Sequence, residues 1–186
     1  MPDKPSGKEW VGKFPTSRSL SDLKGGFASA AKKFLAAITK AGAKVKISAT
    51  YRPPERAYLM HYSFLIAKGL DPTKVPALAG VDIDWTHKDK AGKADPKEAL
   101  KAAKEMVSAY GIAYKPALKS RHTQGLAIDM DISWSDQLSI EDAKSKTVEI
   151  KSNPRSGGNK ELQDIGAGYG VVKLASDPPH WSSDGH

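Results

Sequence analysis

A histidine and two aspartates stand close together in the middle of the chain, and their side chains could bind a metal ion. His122 precedes a stretch in which every second residue from 126 to 132 is apolar, while Asp129 and Asp131 fall between them. This alternation predicts a half-buried strand whose second face carries carboxylates. One histidine and one carboxylate are two of the three protein ligands in a zinc site of the His, His, carboxylate kind. We expect the missing histidine to be His180, which follows two prolines much later in the chain.

The composition is that of a soluble globular protein, and it restricts the kind of metal site. The chain has 186 residues, of which 39% are apolar and 27% charged, as expected for one folded domain. Because the sequence has no cysteine, zinc could be bound only by His, Asp or Glu. No apolar stretch approaches the ~18 residues of a membrane span, and no secretory signal peptide is visible.

The formal charge of +8 favours polyanionic partners, such as nucleic acid or an anionic cell-wall polymer. The lysines are scattered and are not interleaved with aromatic residues, and no nucleic-acid-binding module is recognisable. We therefore expect no nucleic-acid partner. The alternative, a basic nucleic-acid binder, predicts a DNA affinity that falls steeply with salt.

Helical and strand patterns follow one another without regular βαβ alternation. Helical periodicity predicts helices over 21–41, 54–68, 96–110 and 160–167, and a further short helix near 140–146. Strands are predicted over 45–49, 126–132, 148–150 and 169–174, and residues 69–94 form a long excursion. The fold class is therefore α+β, with a small antiparallel sheet flanked by helices. We predict an irregular arm over 1–18 and a single domain over 19–186.

The chain resembles a known family at the residues that could bind the metal. The motif Ser120-x-His122-x-x-Gly125-x-Ala127-x-Asp129, followed by Asp177-x-x-His180-Trp181, is similar to that of zinc metallopeptidases that cleave D-Ala-D-Ala or L-Ala-D-Glu bonds in peptidoglycan stem peptides. Tyr51-Arg52 matches the upstream Tyr-Arg element of that family, so the resemblance covers roughly residues 20–183. At average residue usage, the five-point motif arises by chance in about one in ten thousand chains of this length. The resemblance implies the fold that these peptidases share with the hedgehog amino-terminal domain.

The resemblance also implies a role for each matching residue. His122, Asp129 and His180 would bind Zn²⁺ and leave a fourth position for water, which zinc activates at neutral pH. Asp177 would be the general base, and Arg52 would bind the scissile carbonyl oxygen or a substrate carboxylate. The family has Glu more often at the base position, and Asp there is more typical of its L-Ala-D-Glu endopeptidase branch.

Several assignments have alternatives. Asp131 shares the face of Asp129 and could bind the metal in its place, and Arg52 could instead be a structural ion-pair residue. His186 is expected to be disordered. Five residues are predicted to contact substrate, although Trp181 would also serve as a core anchor and the two in the excursion could be solvated: Ser120, Tyr51, Trp85, His87 and Trp181.

The predicted function is that of a monomeric zinc peptidase acting on the peptidoglycan stem peptide, with residues 19–186 as its catalytic domain. An L-Ala-D-Glu endopeptidase, either a phage-type lysin or a secreted effector, is expected. A D-alanyl-D-alanine carboxypeptidase and a non-catalytic zinc-containing wall-binding module are the alternatives. Without a signal peptide, such a protein would be made in the cytoplasm and reach the wall after lysis or by specialised secretion. If the protein is a secreted effector, an immunity protein is a candidate partner.

Overall fold

The computed structural model describes residues 4–186 of the chain. Their contacts divide them into two compact units, which we call the helical unit (residues 4–15 and 53–119) and the sheet unit (residues 16–52 and 120–186). The elements in chain order are β1 (Lys4–Pro5), α1 (Gly25–Lys40), β2 (Lys44–Ala49), α2 (Pro54–Ala67), β3 (Ile83–Asp84), α3 (Pro96–Tyr110), α4 (Arg121–Gln124), β4 (Ala127–Ser133), β5 (Leu138–Glu141), β6 (Thr147–Ile150), α5 (Lys160–Tyr169), β7 (Val172–Lys173) and β8 (His180–Ser182). The predicted α+β class is confirmed.

The sheet unit is built on an antiparallel four-stranded sheet with the order β2-β4-β8-β7. Helices α1 and α5 pack against each other, and the β5–β6 hairpin packs against α1. Phe34 of α1 and Trp181 of β8 are completely buried in the core between these elements, with their ring centroids 5.5 Å apart. A single apolar core thus lies behind one face of the sheet and leaves its other face free to carry polar groups.

Strand β4 has the two-faced character that its sequence predicts. Ile128, Met130 and Ile132 are at most 3% exposed and join the core. Asp129 is half-buried on the opposite face, and Asp131 is exposed. Because side chains alternate along a strand, burial of the three apolar residues fixes the direction in which the carboxylates point.

The helical unit packs α2 against α3 around a second apolar core. Helix α3 begins as predicted, with the Asp95 carboxylate accepting hydrogen bonds from the backbone amides of Lys97 and Glu98, and it ends at Gly111. The excursion contributes β3, which pairs with β1 in parallel, and the buried Trp85. The long irregular segment is therefore partly anchored by its own core residues.

Residues 4–15 of the predicted arm belong to the helical unit, where Trp10 is buried in the core. Two predictions of local structure were wrong. The helix predicted near 140–146 is the end of β5 and the turn to β6, where the Asp142 carboxylate accepts hydrogen bonds from the amides of Lys144 and Lys146. The strand predicted over 169–174 is limited to Val172–Lys173, because α5 continues to Tyr169.

Among residues 4–186, no helix is both long enough and apolar enough to cross a membrane.

Candidate metal centre

Two of the predicted ligands face each other across neighbouring strands. Asp129 of β4 and His180 of β8 are direct partners in the antiparallel register, next to the pair formed by Ile128 and Trp181. Directly opposed residues have side chains on the same face of the sheet. Trp181 therefore faces the apolar core, and His180 lies on the face of the sheet that carries Asp129.

The third ligand, His122, is presented by the single-turn helix α4. The backbone amide of Ser120 donates to the Thr123 hydroxyl, and the Ser120 hydroxyl accepts from the Thr123 amide, which forms a capping box at the start of the helix. Gly125 ends the turn with a φ of 71°, and a Cβ at this position would lie 2.9 Å from Cγ of Lys24. Ser120 and Gly125 thus have structural reasons to belong to the motif, since they define the turn that holds the histidine.

The three side chains meet in a tight triangle of donor atoms. His122 Nε2 lies 3.0 Å from Asp129 Oδ1 and 3.1 Å from His180 Nδ1, and His180 Nδ1 lies 3.0 Å from the same Oδ1. Ligand atoms about 2.0–2.1 Å from a tetrahedral zinc ion are separated by about 3.3–3.4 Å, which is close to these distances. Within the described residues, this is the one group of histidine and acidic side chains that could hold a metal ion. The exposed Asp131 is not part of it.

Hydrogen bonds to backbone carbonyls fix which nitrogen of each histidine ring faces the donor triangle. His122 Nδ1 lies 2.9 Å from the carbonyl oxygen of Thr50, and His180 Nε2 lies 3.1 Å from that of His186. A carbonyl can only accept, so each of these nitrogens carries a proton and donates. In the neutral rings, the nitrogens that face Asp129 therefore present lone pairs. Three lone-pair donors at this separation repel one another unless a cation lies among them, which is the arrangement of a metal site with oriented ligands.

The electrostatics of the site in the absence of a metal point the same way. Burial raises the pKa of the Asp129 carboxyl, but the hydrogen bonds and charges of His122 and His180 outweigh this and hold it far below its usual range. Burial lowers the pKa of His180, but the hydrogen bond and charge of Asp129, aided by the His186 carbonyl, leave it raised. The pocket therefore stabilises positive charge beside Asp129, whether that charge is a proton or a metal ion.

The segment that follows β8 folds back to support His180. The Ser182 hydroxyl accepts hydrogen bonds from the backbone amides of Gly185 and His186, at 2.9 and 3.0 Å. The guanidinium of Arg121 forms an ion pair with Asp184, which ties this segment to α4. The backbone of His186, a residue predicted to be disordered, forms hydrogen bonds with His180 and Ser182 behind the donor triangle. The sequence carried no signal for this role, since a carbonyl oxygen is common to every residue.

Asp177, the predicted base, and Arg52, the predicted substrate-binding cation, each form a backbone hydrogen bond with a candidate metal ligand. Asp177 is exposed, and its backbone carbonyl accepts from the amide of His180 at 3.0 Å, while its carboxylate is close enough to raise the pKa of that histidine. The backbone amide of Arg52 donates to the carbonyl of His122 at 3.1 Å. The ring of the adjacent Tyr51 lies beneath the ammonium of Lys24. All these residues lie in the sheet unit with the metal ligands.

Trp85 and His87, the predicted substrate contacts in the excursion, belong to the helical unit and form hydrogen bonds within it. Trp85 is 4% exposed and donates its indole N–H to the hydroxyl of Tyr58. His87 is hydrogen-bonded to Ser6 at 2.9 Å. In the sheet unit, Trp181 is completely buried, so its role there is in the core. Substrate contact by Trp85 and His87 stays a prediction.

A cleft of about 460 Å³ lies in the sheet unit. It is bounded by Met130–Ile132 directly after Asp129, by the loop around Gly157, and by Lys173 and Pro178 near His180. Both polar and apolar groups line it. Its lining includes none of the three candidate ligands.

The comparisons with known proteins identify no relative: no family model, curated protein or solved structure matches the chain. Within the described residues, the buried His122 and His180 and the half-buried Asp129 form a group that could hold a metal ion.

Proposed function

We propose that this protein is a zinc-dependent peptidase that hydrolyses a bond beside a D-amino acid in the peptidoglycan stem peptide, most specifically as an L-Ala-D-Glu endopeptidase. The observation that carries the proposal is the triangle of His122, Asp129 and His180, in which backbone carbonyls direct both ring lone pairs to one point. Two imidazoles and one carboxylate are the ligand set of hydrolytic zinc sites that keep a position open for water. The sequence resemblance to the peptidases with the hedgehog-like fold supports the same assignment.

The residues of the chain have distinct tasks in this proposal. His122, Asp129 and His180 hold the ion, which when bound polarises water and the scissile carbonyl so that hydrolysis proceeds at neutral pH. The Asp177 carboxylate accepts a proton from the attacking water and returns it to the leaving amine. The Arg52 guanidinium binds the carbonyl oxygen or a carboxylate of the stem peptide, a role suited to its fixed charge.

The choice of the endopeptidase rests on one sequence feature. Asp rather than Glu stands at the position of the base, as in the endopeptidase branch of the family that the chain resembles. The formal charge of +8 favours approach to an anionic wall polymer by electrostatic steering for either peptidase. A D,D-carboxypeptidase would release single D-alanine residues, so the products separate the two activities.

The proposal is tested by digesting purified peptidoglycan and identifying the released fragments by mass spectrometry, with and without a chelator. We expect new amino-terminal D-Glu ends, loss of activity with the chelator, and recovery when zinc is restored. His122→Ala should remove both the bound zinc and the activity. Intact peptidoglycan after incubation with zinc-loaded wild-type protein would refute the proposal.

Asp131 provides the matched control for the carboxylate ligand. It lies two residues from Asp129 on the same face of β4 but is exposed and outside the donor triangle. Asp131→Asn should retain zinc and activity, whereas Asp129→Asn should lose both. Equal losses in the two variants would mean that the ligand assignment is wrong.

Asp177→Ala distinguishes an enzyme from a wall-binding module that keeps zinc without turnover. In an enzyme, this variant should keep its zinc content and lose most of its activity, because a positioned general base contributes roughly 10²–10⁴-fold to the rate. In a binding module, wall binding by the variant would equal that of the wild type, and neither protein would release fragments.

A further inference from the structure

The ammonium group of Lys173 forms hydrogen bonds with backbone carbonyls of the turn that precedes His180, and the proposed metal chemistry gives this lysine no role. Its ammonium group lies 2.5 Å from the carbonyl oxygen of Leu174, 2.6 Å from that of Asp177 and 3.2 Å from that of His180. An ammonium group has three protons, so these backbone oxygens can use all of them. The side chain of one lysine thus joins three points of the segment 174–180.

This segment needs such support because it contains little regular structure. It leaves β7 after Lys173, and its own backbone bonds include the Leu174 amide to the carbonyl of His180 and the His180 amide to the carbonyl of Asp177, at 3.1 and 3.0 Å. Residues 175–178 are exposed, so no apolar packing holds them on the solvent side. The same segment carries the metal ligand His180 at its end.

The surroundings of the ammonium group favour a fixed position. The Lys173 side chain is half-buried, and its ammonium lies 5.7 Å from the centre of the Trp181 ring. Burial lowers the pKa of Lys173, an effect only partly opposed by the negative charges of Asp177 and Asp129. A lysine that is held by backbone carbonyls and partly removed from water has little freedom to move away.

We propose that Lys173 is a positioning residue for the metal centre, holding the 174–180 turn so that Nδ1 of His180 stays in the donor triangle. Its effect is exerted through His180 and requires no contact with the ion. The inference depends on metal binding by the triangle and not on the peptidase activity. It therefore remains testable in a protein whose substrate is different.

The sign of one measurement separates this role from a purely electrostatic one. Lys173 is cationic and lies near Asp129, so its charge alone opposes the binding of a metal cation. Removal of the charge would then strengthen zinc binding. If the lysine instead holds the ligand in place, its removal must weaken zinc binding despite the loss of repulsion.

The experiment is a zinc titration of Lys173→Met in competition with a chromophoric chelator. We expect the dissociation constant for zinc to rise roughly 10–100-fold, the range found when groups that orient metal ligands are removed. The absorption spectrum of the cobalt-substituted protein should change as well, because the geometry of the ligands changes. Lys40→Met is the matched control, since Lys40 forms an exposed ion pair with Glu141 and its loss alters the net charge equally. It should leave the dissociation constant unchanged.

Thermal unfolding in a chelator separates positioning from general stability. A merely structural lysine would lower the melting temperature of the metal-free protein and leave the zinc affinity as it was, which would overturn the proposal. Unchanged or tighter zinc binding by Lys173→Met would overturn it too. If the Met variant does not fold, Lys173→Arg keeps the charge but cannot place three donors on the same carbonyls, and it should also weaken zinc binding.

Discussion

Gly166 in α5 allows a sharp test of the packing beneath the metal centre. A Cβ at this position would lie 2.8 Å from the carbonyl oxygen of Val171, 2.9 Å from Cζ3 of Trp181 and 3.0 Å from Cζ of Phe34. Neither a backbone oxygen nor a ring enclosed in the core can move aside easily. Gly168, in the same helix, would place its Cβ 3.9 Å from the Cβ of Ala143, an ordinary contact distance.

The two glycines should therefore respond to alanine with opposite signs. Alanine gains up to about 1 kcal/mol over glycine within a helix. Overpacking of a filled core costs about 1–3 kcal/mol, and three simultaneous close contacts put Gly166→Ala near the upper end. We expect a net loss of about 2 kcal/mol for Gly166→Ala and a gain of up to about 1 kcal/mol for Gly168→Ala. At about 2–4 °C per kcal/mol for a chain of this size, the melting temperature falls by ~4–8 °C in the first case and rises slightly in the second.

Thermal unfolding of both variants in the presence of a chelator measures this difference without a contribution from bound metal. A zinc titration adds a functional readout, because displacement of Trp181 moves the adjacent ligand His180, and Gly166→Ala should bind zinc more weakly than the wild type. An equal rise in melting temperature for both variants would show that the core beside Trp181 has space that the distances exclude.

Two further predictions concern the metal ligands and their support. In metal-free protein, the raised pKa of His180 and the lowered pKa of Asp129 both stabilise the folded state. This contribution is complete between pH 3.8, the ordinary pKa of Asp, and pH 6.5, the ordinary pKa of His. It declines as the pH rises through the raised pKa of His180. Stabilisation by zinc should instead increase as the pH rises above 6.5, because ligation needs a deprotonated ring. Melting temperatures with and without zinc should therefore diverge with rising pH, and parallel curves would contradict this. Ser182→Ala removes the acceptor that orients the His186 backbone and should weaken zinc binding roughly tenfold, whereas the exposed Ser183→Ala should not.

The sequence was sufficient to predict the parts of the site that depend on side-chain type and strand periodicity. The alternation around Asp129 predicted which face of β4 carries the carboxylate, because three apolar partners could be buried only on the other face. The start of α3 followed from Asp95, Pro96 and Glu98, whose order is typical of a helix amino terminus. The meeting of His122, Asp129 and His180 was also predicted.

Contacts made by backbone atoms or by common side chains could not be predicted. The carbonyls of Thr50 and His186 fix the tautomers of both histidines, yet any residue at those positions offers the same oxygen. Lys173 is one of 29 basic residues, and only the path of the chain shows that it joins three carbonyls. The β5–β6 hairpin was missed because the polar turn at Asp142 also fits the start of a helix.

Because Asp129 pairs directly with His180, binding of one ion by both residues would depend on the alignment of β4 with β8. If β8 paired with β4 one residue out of place, Trp181 would turn to solvent and His180 would enter the hydrocarbon core. Asp129 and His180 would then lie on opposite faces of the sheet and could not bind the same ion. An ion bound by both residues would stabilise only the alignment that buries the indole, and it would thereby disfavour the slipped pairing.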